Sequence, residues 1–295
     1  MRRLMTTVWL VLVLGAAAQA QRHPFTTNGT DNADWVRPHV PFRIIGNVYW
    51  VGGDDLSTYL ITTSQGHILI NTGVGETAAA IAASVRQLGF RIEDTRILTA
   101  THAHIDHAAG LAALKRMTGA KLVVNERDRE VYETGGKADF LLGARPPYHY
   151  EPVVVDRTFA FGDTITLGDV TLTTHSAAGH TRGATTFTLD VQEAGRTWRV
   201  GIVNLPSINP GTVLSGMPGY PDIGTDYAAT IRAQKTMALD VFLASHASQF
   251  RMHDKFRPGA AYDPNRFVDR EGLGAAVQRL EQSYLAQVAA ERARR

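Results

Sequence analysis

The sequence predicts an α+β fold: a four-layer sandwich in which two mixed β-sheets pack face to face and helices cover the outer faces. The main observation is the order of the elements. A run of short strands is followed by mixed helices and strands, and this order occurs twice. The composition agrees, because 44% of the 295 residues are hydrophobic and 20% are charged, as in an ordinary globular protein. We therefore expect two similar halves, although no clear sequence repeat is visible.

The first half begins with short apolar segments separated by glycine-containing turns, which is typical of antiparallel strands. Apolar residues at helical spacing follow, and they predict one helix ending near Gly89 and another with Leu111, Leu114 and Met117 on its apolar face. The predicted elements of this half are strands at 42–45, 48–51, 58–62 and 67–70, a helix through 81–88, a strand at 96–100, a helix around 111–117, a strand at 121–124 and a short charged helix at 126–134.

The second half repeats this arrangement after a long loop at 135–152. Such a loop either has a function or simply packs its own apolar residues, and the sequence leaves both interpretations open. The predicted elements are strands at 157–161, 164–167, 170–175, 185–190 and 198–203, a helix at 222–239, a strand at 241–244 and a final helix that docks on the core through Leu273, Val277, Leu280, Tyr284 and Val288.

The N-terminus has the pattern of a secretory signal peptide. Arg2 and Arg3 precede a short apolar run, and an Ala-x-Ala exit predicts cleavage after Ala20. An uncleaved membrane anchor is the alternative, but the apolar run is short for a membrane span. We therefore expect residues 1–20 to be a signal peptide, residues 21–295 to form one domain, and the mature protein to be periplasmic or secreted, without a membrane attachment.

Charge and cysteine content narrow the possible partners. Basic residues number 30 and acidic residues 28, and the first twenty residues hold two arginines and no acidic residue, so the mature chain has 28 of each. Without a basic block, a nucleic-acid partner is not expected. We expect a monomer that acts on a small molecule. The chain has no cysteine, so any metal site must use nitrogen and oxygen ligands.

The segment Thr101–Gly110 concentrates metal-ligating side chains. His102, His104, Asp106 and His107 follow directly after the predicted strand 96–100. Residues two apart in an extended chain point the same way, and a turn into a helix at Asp106 would bring two more ligands to an adjacent position. One short loop can therefore serve two neighbouring metal ions, and imidazole with carboxylate favours zinc. The alternative is a cluster with a purely structural role. Without a metal, however, each buried polar group would need a hydrogen-bond partner, and each one left unpaired would cost on the order of a few kcal/mol.

Two further histidines also follow predicted strands. His180 lies in the segment Gly179–Gly183 after the strand ending at His175, and His246 follows the apolar run at 241–244. Strand ends on a rigid scaffold are common positions for functional side chains. Both are therefore candidates to complete the metal site.

These motifs resemble the metallo-β-lactamase superfamily, whose signature is His-x-His-x-Asp-His, and within it the subclass B3 β-lactamases. The resemblance covers essentially the whole mature chain, and the signature by itself does not specify a reaction. The matching segments are Pro41–Ile44, Val51-Gly52, Ser57–Thr63, Gly135–Phe140, Ala178–Thr181, Asn209–Gly211 and Ser245-His246.

The resemblance implies the metallo-β-lactamase fold and a pair of zinc ions bridged by a water or hydroxide. It also implies that the zinc-bound hydroxide attacks the lactam carbonyl, since zinc lowers the pKa of bound water to about 7. Asp106 would act both as a ligand and as the catalytic residue that orients the nucleophile. The implied ligands are His102, His104 and His180 for one zinc, and Asp106, His107 and His246 for the other.

The resemblance also draws attention to four residues outside the ligand set. Ser207 and Asn209 are candidates to bind the substrate carboxylate, and they could equally be turn residues. Asn71 stands where many superfamily members carry an aspartate that supports the ligand loop. Arg182 stands where a proline is common after His-Thr.

The expected activity is hydrolysis of penicillins, cephalosporins or carbapenems. Lactonases and thioesterases share the scaffold, but those relatives typically add an aspartate after the second run of strands, and residues 198–212 contain no acidic residue. A non-catalytic zinc-binding protein is a third possibility. Structural zinc sites close all four ligand positions, whereas three protein ligands per metal leave one position open for chemistry.

Overall fold

The computed structural model describes residues 33–294, so the predicted signal peptide lies outside the described residues. Two sheets form the centre of the molecule. One has seven strands in the order β1-β2-β3-β4-β5-β6-β7, and the other has five in the order β12-β11-β10-β9-β8. The strands are β1 Phe42–Ile45, β2 Val48–Trp50, β3 Tyr59–Thr63, β4 Gly66–Ile70, β5 Thr95–Thr99, β6 Lys121–Asn125, β7 Arg157–Phe159, β8 Thr164–Leu167, β9 Val170–Ser176, β10 Thr185–Glu193, β11 Arg196–Val203 and β12 Val241–Ala244.

Both sheets are mixed, as predicted. Strands β1 to β4 pair antiparallel and β4 to β7 pair parallel. In the other sheet, β8 to β11 are antiparallel and β12 adds parallel to β11. The helices are α1 Ala78–Gln87, α2 Ile105–Ala108, α3 Leu111–Thr118, α4 Arg129–Glu133, α5 Ile223–Lys235, α6 Met252–Lys255 and α7 Gly272–Ala293.

Alternating side chains explain how the layers pack. Successive residues of a strand point to opposite faces of a sheet. In β4, Ile68 and Ile70 belong to the apolar core that includes both sheets, while Leu69 belongs to a second core shared with α1 and α3. Helices α5 and α7 contact each other and contribute Ile231 and Val277 to the first of these cores. The prediction of two sheets with helices on the outside is confirmed.

Several predicted boundaries were wrong. The helix predicted at 222–239 ends at Lys235, and the charged helix predicted at 126–134 is a 3₁₀ turn at Glu126–Asp128 followed by the short α4. Met117 is 43% exposed rather than on the buried face of α3. Successive residues of an α-helix advance by about 100°. Met117 therefore lies well away from Leu111 around the helix axis, and Gly119 ends the helix directly after this turn.

The described part of the chain contains no helix that is both long enough and apolar enough to traverse a lipid bilayer. The beginning of the described chain lies against the core. Arg37 forms an ion pair with Asp54, at 2.8 Å, and Pro38 bridges to Gly53. Residues 21–32 of the predicted mature domain lie outside the described residues.

Candidate metal centre

The predicted ligand cluster lies where β5 ends, at one edge of the seven-stranded sheet. His102 and His104 are in the loop between β5 and α2, and Asp106 and His107 are in α2 itself. All four side chains are buried, with relative exposures between 0% and 9%. The helix α2 is anchored by its own backbone, since the amide of His107 donates to the carbonyl of His104, at 3.0 Å. The helix therefore begins at Ile105, one residue before the predicted position.

The other two histidines come from the five-stranded sheet. His180 lies in the loop between β9 and β10, and His246 follows β12. His246 is tied to the first half by an antiparallel bridge to Leu56. The two sheets therefore meet at this edge, and the fold brings all six predicted ligands together.

One group of three imidazoles surrounds a common point. Ligand atoms of His102, His104 and His180 all lie within 4.8 Å of one another. The Nδ1 atom of His104 is 3.1 Å from Nε2 of His180, and the His102 ring lies 4.6 Å from the His180 ring between centroids. This group matches the predicted ligand set for the first metal.

A second group adjoins it. One carboxylate oxygen of Asp106, Oδ2, lies 3.0 Å from Nε2 of His107 and 3.3 Å from Nε2 of His246. The rings of His107 and His246 are 5.0 Å apart between centroids. Atoms of His102, Asp106 and His107 also lie within 4.8 Å of one another, so His102 borders both groups.

The arrangement of lone pairs shows that these residues fit a cation. The carbonyl of Ser207 accepts from Nδ1 of His180, at 2.8 Å, so the proton of that ring is on Nδ1 and its Nε2 carries a lone pair. Asp139 Oδ2 lies 3.4 Å from Nε2 of His104, and a neutral ring with its proton on that nitrogen has a lone pair on Nδ1. With both rings neutral in these tautomers, two lone pairs face each other across 3.1 Å. A shared cation resolves this contact.

The second group shows the same pattern. Asp55 Oδ2 lies 2.9 Å from Nδ1 of His246, so in the neutral ring the proton is on Nδ1 and the lone pair of Nε2 faces the carboxylate of Asp106. In addition, the buried Nε2 of His102 has no hydrogen-bond partner among residues 33–294. Nitrogen and carboxylate oxygen donors of this kind match zinc.

The electrostatics agree with a cation site. Burial and then the neighbouring imidazoles hold the pKa of His102 well below its ordinary value, and burial lowers the pKa of His180 to about 3, so both rings are neutral and able to coordinate. Burial opposes ionisation of Asp106, but His107 and His246 nevertheless hold the pKa of its carboxyl well below the usual range. For His246, burial is outweighed by Asp106 and Asp55, which raise its pKa to about 9.

Two carboxylates that support ligands were missed by sequence reasoning. Asp55 stands behind His246 and also accepts from the amide of Ser248, at 3.1 Å. Asp139 stands behind His104, and its other oxygen accepts from the amides of Leu141 and Leu142, at 2.9 and 2.6 Å. Asp55 sits in a turn, where aspartate is common for structural reasons, so nothing in the sequence indicated its role at the site. Asp139 lies within the matched segment Gly135–Phe140, which was the available signal.

Asn71 is hydrogen-bonded to the start of the loop that carries His102 and His104. It is fully buried in the left-handed region, with φ of 63°, and its Oδ1 accepts from the amide of Thr101, at 2.8 Å. The hydroxyl of Thr101 in turn lies 3.0 Å from that of Ser245. This network joins the residues that precede His102 and His246, so it connects the ends of the two sheets.

The predicted carboxylate-binding residues lie at the same pocket, which has a volume of about 280 Å³ and is lined by both ligand groups. Ser207 and Asn209 both line it. The hydroxyl of Ser207, however, lies 3.3 Å from Nδ1 of His180, so this residue contacts a candidate ligand. Arg182 is exposed, with its guanidinium 5.3 Å from the ring centre of Tyr220, and it does not line the pocket.

Substituting Asp139 by asparagine is expected to weaken zinc binding by about 10- to 100-fold, the usual effect of removing a group that supports a ligand histidine. The amide oxygen of the new side chain can still accept from Leu141 and Leu142, but the negative charge behind His104 is lost. Competition with a chromophoric chelator measures the change. Asp190→Asn, which removes an exposed carboxylate paired with Arg199, is the matched control. Equal zinc affinity in both variants would contradict a supporting role for Asp139.

The chain is similar to several known proteins. The family model described as the metallo-β-lactamase superfamily matches residues 51–192. Among solved structures, a β-lactamase from Chitinophaga pinensis is 44% identical, with a TM-score of 0.84 over 87% of this chain and 96% of that one. The class B3 di-zinc metallo-β-lactamase LRA-12 from an Alaskan soil metagenome is 42% identical, with a TM-score of 0.85 over 88% and 97%.

A curated relative, the hydroxyacylglutathione hydrolase of Hyphomonas neptunium, is 28% identical over 141 residues. That match covers 45% of this chain and 46% of the relative, so it spans about half the length of each. The similarity to solved structures extends over nearly their whole length. The chain belongs to the metallo-β-lactamase superfamily, and within it to the class B3 metallo-β-lactamases.

Proposed function

We propose that this protein is a zinc-dependent β-lactamase that hydrolyses the lactam amide of penicillins, cephalosporins and carbapenems. The observation that carries the proposal is the pair of adjoining ligand groups at the base of one open pocket. The similarity to class B3 enzymes, one of them described as di-zinc, supports the same conclusion. All six ligand positions of that pattern are filled here.

In this proposal His102, His104 and His180 hold one zinc ion, and Asp106, His107 and His246 hold a second. Zinc bound there would supply Lewis acidity, which polarises a carbonyl and lowers the pKa of water to about 7, so that hydroxide is available at neutral pH. The chain itself supplies the geometry. Asp55 and the carbonyl of Ser207 hydrogen-bond to the outer nitrogens of His246 and His180, and Asp139 lies 3.4 Å from that of His104.

Asp106 has a second role in the proposed reaction. It is the only acidic side chain among the described residues that line the pocket. Its carboxylate can accept a hydrogen bond from the attacking water and hold that water toward the lactam carbonyl. Hydrolysis adds the oxygen to the carbonyl carbon and breaks the bond to the ring nitrogen, which takes a proton from solvent.

A thioesterase activity is the second candidate, because the curated relative named above is a hydroxyacylglutathione hydrolase. Such enzymes typically carry an additional acidic ligand after the second run of strands. In this chain residues 198–212 hold no acidic residue, and Asn204 lines the pocket in that region. The neutral side chain there favours the β-lactamase.

The proposal includes export. Arg2, Arg3, the apolar run and the Ala-x-Ala exit support a signal peptide at residues 1–20, which would release a monomeric domain of residues 21–295 to the periplasm or the medium.

Turnover of a penicillin, a cephalosporin and a carbapenem, each against a glutathione thioester, tests the function. We expect hydrolysis of at least one β-lactam that stops when a chelator is added and returns with zinc. Thioester hydrolysis with no β-lactam turnover would replace the proposal with the second candidate.

A further inference from the structure

The long loop at 135–152 forms one wall of the pocket. Leu142, Arg145 and Tyr148 line it from this side. The loop is held in place at several points: Asp139 accepts from the amides of Leu141 and Leu142, and the hydroxyl of Tyr150 donates to the carbonyl of Ala103, at 2.8 Å. The residue that precedes His104 is therefore bonded to this loop. These contacts fix the position of the loop relative to the candidate metal ligands.

Arg145 is the only lysine or arginine among the described residues that line the pocket. The side chain is exposed, and none of the acidic residues in the described chain forms an ion pair with it. Its backbone is fixed, because its amide donates to the carbonyl of Leu142, at 2.9 Å. A free cation on an anchored backbone, within the part of the chain that the structure describes, is available to a ligand.

The guanidinium reaches the opposite wall. Its Nη2 lies 3.5 Å from the point where a Cβ of Gly211 would stand, so it lies beside the turn that contains Asn209. Asn209 also lines the pocket. A positive charge and an amide donor thus line the same pocket, whereas the hydroxyl of Ser207 contacts His180.

We propose that Arg145, together with Asn209 of the same pocket, binds the carboxylate of the substrate and so determines preference for anionic β-lactams. This inference rests on the proposed β-lactamase activity. A planar guanidinium matches a carboxylate with two parallel hydrogen bonds, which lysine cannot reproduce. The carboxylate is attached to the carbon next to the lactam nitrogen and keeps its charge when the ring opens, so this contact contributes to binding of substrate and transition state alike. Its loss raises KM and leaves kcat nearly unchanged.

The test compares wild-type protein with Arg145→Gln, Arg145→Lys and a control, Arg86→Gln, which changes an exposed arginine of α1 outside the pocket. The substrates are a cephalosporin with a free carboxylate and its methyl ester. For the free acid we expect KM to rise about 10- to 100-fold in Arg145→Gln, in line with loss of a charge-assisted hydrogen bond, and less in Arg145→Lys. The ester should show one KM in all four proteins, and bound zinc should not change.

Three results would contradict the role of Arg145 or the proposed function. An unchanged KM for the free acid in Arg145→Gln would overturn the assignment while leaving the β-lactamase intact. An equal rise in KM for the acid and the ester would also overturn it, because the arginine would then shape the pocket rather than recognise charge. Absence of β-lactam turnover by the wild-type protein would overturn the proposed function itself.

Discussion

Substitution of His104 by alanine is expected to reduce kcat/KM for β-lactams by about three orders of magnitude, since a bound metal supplies several kcal/mol of transition-state stabilisation. The variant removes the imidazole whose Nδ1 lies 3.1 Å from Nε2 of His180. The first zinc would then keep two protein ligands. Steady-state kinetics with zinc quantified in the same samples measures both effects.

The controls separate loss of a ligand from loss of the fold. His175 is a half-buried histidine of β9, hydrogen-bonded to Thr188 and outside the pocket, so His175→Ala removes an imidazole without touching the site. In His104→Ala the carboxylate of Asp139 also loses its partner, so His104→Gln, which restores a donor, is measured beside it. Activity within tenfold of wild type in both His104 variants would refute the ligand assignment.

Substitution of Asp106 by asparagine is expected to lower kcat by roughly 100- to 1,000-fold, comparable to removal of one preorganised electrostatic contact in an active site. The amide has nearly the same shape as the carboxylate, so packing is retained. The negative charge that lies 3.0 Å from His107 and 3.3 Å from His246 is lost. Zinc in the second group should be held more weakly, and zinc in the first group should be retained.

Titration of zinc into the metal-free Asp106→Asn protein distinguishes the two groups. We expect one tight and one weakened binding step, against two tight steps in Asp190→Asn, the surface control. Two tight steps in Asp106→Asn, together with undiminished kcat, would show that Asp106 is neither a ligand nor an orienting group.

Much of the fold could be predicted because the signals are local. Strand alternation in β4, where Ile68 and Leu69 face different cores, requires only the two-residue period of a strand. The candidate ligands could also be predicted, since four of them occur in six consecutive residues and the other two follow predicted strands. These features depend on neighbouring residues along the chain.

The groups that act across the fold could not be predicted in the same way. Asp55 and His246 are 191 residues apart and meet only because β12 and the loop before β3 lie at the same edge. Asp139 lies in a long loop, and a loop has no periodic sequence pattern from which its path could be predicted. Nothing in the sequence distinguishes Arg145 from the other arginines. It stands out only in the structure, where it is the only lysine or arginine among the described residues that line the pocket.

Anomalous diffraction at the zinc absorption edge, from crystals of the zinc-loaded protein, tests the central claim most directly. We expect two peaks in this pocket, one bounded by three imidazoles and the other by a carboxylate and two imidazoles. The residues are His102, His104 and His180 for the first, and Asp106, His107 and His246 for the second. A single peak, or peaks that these six side chains do not surround, would contradict the account.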